Sequence, residues 1–126
     1  MPTEGEILNY VKRAPLGVVV QIAPFNHPLL IAVKKIAPAL AAGNSIIVKP
    51  SELTPLTLLE FGLLATKAGV PDGVLCILPG EGRTVGKELV VDRRVKKIDL
   101  TVSICSVLAF IRLTLTCICL VISGRN

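Results

Sequence analysis

The sequence predicts an α/β chain: a partial doubly wound parallel sheet followed by an apolar C-terminal tail unrelated to it. Three observations predict this. Short runs rich in β-branched residues recur along residues 15–101, stretches of helical length separate them, and the links are short and carry Gly or Pro. Continuous apolar strands of this kind suit a parallel sheet buried on both faces. The chain divides into an N-terminal arm (1–14), the α/β unit (15–101) and the tail (102–126).

The polar arm ends in Lys12-Arg13, and Gly17–Ile22, bounded by Pro15 and Pro24, reads as the first strand. Pro28 is placed to open a helix over Leu29–Ala42, which Gly43-Asn44 closes, with Pro38 inside it as a source of a kink or register shift. Ser45–Lys49 is a second strand. Thr54 as N-cap and Pro55 as first helical residue start a helix that runs to about Ala68, with Leu56, Leu59 and Leu63 on one face and Gly69 as its stop. Val70–Gly73 is a turn, Val74–Leu78 a third strand, Thr84–Val91 a third helix, and Lys97–Thr101 a fourth strand.

Nothing in the tail continues this rhythm. Val102–Ser123 holds a single charge, Arg112, and residues 111–117 alternate, Arg112, Thr114 and Thr116 against Ile111, Leu113, Leu115 and Cys117, as a strand does.

Hydrophobic residues make up 52% of the 126 and charged residues 18%, which excludes intrinsic disorder. The net charge of +5 sits in short basic clusters without interleaved aromatics, a pattern of solvated faces rather than of a nucleic-acid surface. Cys76, Cys105, Cys117 and Cys119 have neither disulfide-framework nor zinc spacing, and His27, the one histidine, has no partner ligand. The N-terminal residues lack the apolar stretch of a signal peptide, so a reducing, cytoplasmic setting is expected.

Ligands of open α/β sheets bind at the carboxyl ends of the strands. Three loops leave such ends: Pro24–Pro28, Pro50–Leu53 and Pro79–Arg83. In the third, glycines at a strand-to-helix turn either admit a pyrophosphate or simply make a tight turn. In the second, Glu52 can accept hydrogen bonds from both ribose hydroxyls of a dinucleotide and would repel a 2′-phosphate, with Lys49 as a donor; the pair can equally be an ordinary ion pair. In the first, Asn26 stands between two prolines, either as a donor to a developing oxyanion or as a cap for the following helix.

Pro15–Val19, Pro24-Phe25-Asn26-His27-Pro28, Ala37–Asn44, Lys49–Pro55, Gly69–Val74 and Pro79-Gly80-Glu81-Gly82 occur in one order and without gaps. Together they resemble the aldehyde dehydrogenase superfamily over residues 15–101. The resemblance implies a Rossmann-like NAD(P)-binding domain and a parent enzyme that oxidises an aldehyde to a carboxylate. It makes Asn26 the oxyanion-hole amide. It places Ile22, Ala23, Pro24 and Phe25 along the cofactor cleft, Lys49 and Glu52 on the adenosine ribose, and Gly82 and Gly86 where the adenine side needs room. Ser51 and Thr101 complete the implied cofactor-binding set. NAD is the expected cofactor, with NADP as the alternative, and the dinucleotide and an aldehyde are the partners of a homo-oligomeric parent.

After Ile98-Asp99-Leu100-Thr101 the family continues with a glycine-rich turn, where this sequence reads Val102-Ser103-Ile104. The family's nucleophilic cysteine, glutamate base and nicotinamide-ribose acid lie further downstream, and no cysteine here stands in the nucleophile's context. The expectation is a stretch that does not catalyse alone, binds dinucleotide weakly and is poorly soluble. The tail has two readings. One is a membrane anchor, where large apolar residues contribute roughly −4 to −7 kcal/mol and a central arginine costs about 2.5–3.5. The other, favoured by the alternation at 111–117, is an intron read in frame, since Val-Ser can be encoded by a good donor site. The corresponding alternative to an enzyme fragment is a membrane-tethered or partner-binding remnant.

Overall fold

In the computed structural model, which describes residues 9–101 and the backbone of residues 119–122, the chain runs β1 (Val18–Ile22), α1 (Pro28–Ala41), β2 (Ser45–Lys49), α2 (Leu56–Lys67), β3 (Leu75–Ile77), α3 (Lys87–Val91), β4 (Val95–Leu100) and β5 (Cys119–Ile122). The strands pair in parallel in the order β3-β2-β1-β4-β5. From β1 the chain moves outward through β2 and β3, then returns to β1's other side as β4. That reversal is the topological switch point of a doubly wound sheet, the place at the carboxyl ends of β1 and β4 where open α/β sheets form their ligand crevice.

Alternation along the strands sends side chains to two separate cores. Val19, Ala23, Ile46 and Val48 pack with Ala32 and Ile36 of α1 and Leu58 of α2. Val20, Ile22, Ile98 and Leu100 pack with Val90 of α3 on the opposite face. Helices on both faces explain why β1 and β2 run apolar at consecutive residues, Val18–Val20 and Ile46–Val48, rather than at every second one.

The helix ends are built from local chemistry. Pro28 occupies the first turn of α1, as its missing N–H permits. At the far end Gly43 takes a φ of 76°, its N–H donates to Leu40 O, and the Asn44 N–H donates to Ala39 O. Gly69 repeats the arrangement after α2, with Gly69 N–H to Thr66 O and Val70 N–H to Ala65 O. Both are Schellman stops, which need the left-handed conformation that glycine adopts without penalty. Buried Asn44 does more than end a helix. Its Oδ1 accepts the N–H groups of Leu16 (2.6 Å) and Gly17 (3.1 Å), holding the entry to β1.

Several expectations are corrected. Thr54 does not cap α2: the helix begins at Leu56, Pro55 O is its first acceptor, and the Thr54 hydroxyl is buried without a partner among the described residues. Leu56, Leu59 and Leu63, expected on one face, are all exposed, and Leu58 is the buried residue, backed by Phe61. Leucines surround this helix on most sides, so tertiary packing rather than period selects the buried one. The third helical segment starts earlier, in one wide turn over Gly82–Gly86 that runs into α3, with the Gly86 N–H reaching back five residues to Glu81 O. β3 is shorter and β4 longer than the expected Val74–Leu78 and Lys97–Thr101.

The tail also departs from its reading. Cys119–Ile122 pairs in parallel with Lys97–Leu100, so a strand joins the sheet where no continuation of the α/β rhythm was expected. The alternation at 111–117 lies outside the described residues. Among the described residues, no helix is long and apolar enough to cross a membrane.

Candidate functional site

The switch point brings three chain segments side by side. The Thr101 N–H donates to Ile22 O at 3.2 Å, and the Ala23 N–H donates to Lys49 O at 3.0 Å. These bonds continue the sheet ladder one residue past each strand, so the ends of β2, β1 and β4 form one edge. Ile22, Ala23, Lys49 and Thr101, expected together from the sequence, are brought together there.

At the β2 end, the Lys49 side chain is 3% exposed, although a lysine is rarely so deeply placed without a partner. Its ammonium donates to Pro50 O at 3.0 Å and faces Glu52 Oε2 at 3.4 Å. Glu52 is 56% exposed, so its carboxylate is presented to solvent while the lysine anchors it from below. Ser51 between them is committed locally: its carbonyl accepts Thr54 N–H and its hydroxyl accepts Leu53 N–H. The turn that exposes Glu52 is therefore held by the serine next to it.

At the β1 end, Ile22 and Ala23 are buried on opposite faces of the sheet and offer the crevice only backbone. Pro24 is half-buried, and Phe25 and Asn26 are exposed. Asn26 Oδ1 accepts the His27 N–H at 3.0 Å, and α1 has no side-chain cap. Occupying the amide oxygen leaves Nδ2 as the end available to donate.

The glycine turn follows the end of β3, which continues the same edge outward from β2 through Leu78 N–H to Val48 O at 2.9 Å. A Cβ at Gly82 would meet nothing within 4 Å, whereas Gly86 is buried in the wide turn. Gly80 is the glycine that the geometry demands: its φ is +155°, and a Cβ there would fall 2.5 Å from Val85 Cγ2. Sequence reasoning singled out its neighbours because spacing motifs do not show which glycine is sterically pinned.

A cleft of about 550 Å³ opens beside α3, lined by Leu78, Val85, Glu88 and Asp92 among others, and shares no residue with the predicted site. At its rim the Arg94 guanidinium, hydrogen-bonded to the Asp92 carboxylate, holds that carboxyl below its usual range at about 2. Arg94 is exposed and Asp92 half-buried, and the pair belongs to the turn into β4.

The aldehyde dehydrogenase family model matches residues 1–106. The chain belongs to the aldehyde dehydrogenase family. It is 51% identical over 100 residues to the mitochondrial aldehyde dehydrogenase of Leishmania tarentolae and 45% identical over 101 residues to aldehyde dehydrogenase 1A1 of Mus musculus. These matches cover 79% and 80% of this chain but 20% of each relative, so the chain spans about a fifth of the length of the curated aldehyde dehydrogenases that it matches. Among solved structures, PnpE from Pseudomonas sp. WBC-3 superposes with a TM-score of 0.88 at 42% identity, over 98% of this chain and 26% of PnpE. An aldehyde dehydrogenase C variant from Pseudomonas syringae, complexed with NAD+ and octanal, gives 0.83 at 33% identity over 91% of this chain and 24% of that one.

Proposed function

We propose that residues 15–101 are the first half of the NAD-binding domain of an enzyme that oxidises an aldehyde to a carboxylate. We further propose that the 126-residue stretch by itself binds dinucleotide weakly and turns nothing over. The observation that carries this reading is the β2 end beside the switch point, where a buried lysine holds an exposed carboxylate at the mouth of the crevice. A carboxylate there suits the two ribose hydroxyls of NAD as an acceptor and disfavours the 2′-phosphate of NADP. PnpE, crystallised with nicotinamide adenine dinucleotide, and aldehyde dehydrogenase C, crystallised with NAD+ and octanal, support the choice of cofactor class.

The residues present fit the adenosine half of such a cofactor. Glu52 would accept from the ribose, Lys49 would hold Glu52 and donate to the same sugar, and Gly82 has open space in front of it. When bound, the nicotinamide supplies the hydride acceptor. Asn26, its amide oxygen occupied by His27 N–H, would present Nδ2 to an oxyanion. Nothing in residues 15–101 supplies a nucleophile in the family's context, and Cys76 is an exposed residue of β3.

Calorimetric titration of the 126-residue chain with NAD and NADP, beside an assay for NADH formation from short aldehydes, tests this. The expected result is weak binding that favours NAD, with no turnover. Preference for NADP would overturn the assignment of Glu52, and steady NADH formation would overturn the claim of inactivity.

A further inference from the structure

Three polar side chains stand in the otherwise apolar layer between α1 and the sheet, and none belongs to the cofactor set. Gln21, 1% exposed, donates through Nε2 to Ile31 O at 3.0 Å. Lys35 donates through Nζ to Asp99 Oδ2 at 2.8 Å, with both side chains largely shielded from water. Gln21 and Asp99 are register partners on β1 and β4, so their side chains leave the same face one strand spacing apart, about 4.8 Å. Ile31 and Lys35 are four residues apart and share a face of α1. The result is two rungs between the first turns of α1 and the two strands that flank the switch point.

Each rung leaves an acceptor over. Gln21 Oε1 and Asp99 Oδ1 are both buried without a hydrogen-bond partner among the described residues. Apolar residues of similar size would fill the layer without that desolvation cost. What polar rungs add is direction: a hydrogen bond fixes where its partners sit, while apolar contact is indifferent to small slides. The part of α1 so fixed is the part that matters. Its first intrahelical bond, Ile31 N–H to His27 O, begins at the residue after Asn26.

We propose that Gln21, Lys35 and Asp99 form a clamp that sets the place of the first two turns of α1 over the switch point. Through those turns it positions the Asn26 loop and the dinucleotide that would lie against it. Lys35 and Asp99 act through the helix, so they are positioning residues. The part of the inference that concerns the dinucleotide rests on the function proposed above; the clamp itself is readable without NAD.

The test is amide hydrogen exchange on the 126-residue chain and on Lys35→Met, Asp99→Asn and Lys35→Arg. Lys35→Met and Asp99→Asn are expected to speed exchange at Ile31 and across residues 23–31 by about fivefold or more, with α2 changed by less than about twofold. Lys35→Arg, which keeps the charge and reach, is expected to exchange as the parent chain does. NAD affinity is expected to fall by about threefold or more in the two breaking variants, since small misplacements propagate to binding. Uniform acceleration over α1, α2 and the sheet would show a plain stability role and overturn the clamp, as would no local change. If Asp99→Asn does not fold, Lys35→Met at the more exposed end of the pair decides the question. A parent chain that binds no NAD overturns the functional reading and leaves the exchange comparison to judge the clamp.

Discussion

The ends of β2 and β1 carry the two chemically interesting side chains of the site, and the fold treats them differently. Lys49 is buried and bonded to Pro50 O, with Glu52 beside it, so the proposed ribose corner is assembled by contacts inside residues 45–55. Asn26 is exposed, and among the described residues its one side-chain bond is to the next residue's N–H. A preorganised donor needs its rotamer locked by surrounding packing. The first corner has that support within the described residues and the second has only a local turn, although both hang from neighbouring strands of one sheet. The proposed cofactor half of the site is thus the half this stretch of chain can form from its own contacts.

The largest expected effect comes from removing what both corners stand on. Leu58 is fully buried in the core beneath α1 and α2, and it follows the Glu52 turn by six residues. Leu58→Ala should cost about 2–5 kcal/mol, a large share of the stability of so small a domain. Urea unfolding followed by circular dichroism should show a midpoint shifted far down or a lost cooperative transition. A shift worth less than about 1 kcal/mol would mean that the two-layer packing around α2 is looser than described.

Lys49→Met separates the chemistry of the ribose corner from its packing. The apolar stem is kept and the ammonium removed, so the loss is a charge-assisted donor worth about 1.5–3 kcal/mol in binding, roughly a tenfold to hundredfold weaker NAD affinity. Folding stability should change by less than about 1 kcal/mol, because the desolvation cost of the buried charge disappears with its hydrogen bonds. A fall in stability as large as that of Leu58→Ala, without loss of affinity beyond it, would make Lys49 a structural residue and break the contrast between the corners.

How much of this was legible in the sequence follows from how local each feature is. The strands are β-branched runs fenced by Pro and Gly, and the stops at Gly43 and Gly69 are decided within five residues, so both were readable. Lys49 and Glu52 stand three apart, and their pairing needs only one turn. The buried side of α2 was not readable because Leu56, Leu58, Leu59, Leu63 and Leu64 leave no single apolar stripe, and only the neighbours of the helix select Leu58. The Lys35–Asp99 pair joins residues 64 positions apart and exists only once β4 has paired with β1. One signal was available: Gln21 and Asp99 are polar residues inside apolar strands, where a fold keeps them only with partners. The strand at Cys119–Ile122 was missed because an apolar run without turn signals does not announce which edge it joins.

Glu52→Gln sharpens the contrast at a finer scale. The amide keeps the shape and removes the charge that repels a 2′-phosphate. NAD affinity should weaken while NADP affinity improves, moving their ratio by about tenfold, near 1.4 kcal/mol. Stability should not move measurably, since Glu52 is more exposed than buried and its ion pair at 3.4 Å is long. Competition titrations with both dinucleotides would read the ratio directly, and an unchanged ratio would remove Glu52 from cofactor selection.

The smallest effect is expected at the other corner, and its smallness carries the argument. If Asn26 were a helix cap, Asn26→Ala would cost about 0.5–2 kcal/mol. Its Oδ1 instead bonds the immediately following N–H, and α1 starts without a side-chain cap, so the expected change is within about 0.5 kcal/mol. NAD affinity should be unchanged too, because an oxyanion donor contributes only where negative charge develops during reaction. A thermal melt and an NAD titration that match the parent chain would leave the amide with no structural or ground-state binding task. A destabilisation above about 1 kcal/mol would assign it to the helix end and take from the β1 corner the one side chain suited to chemistry.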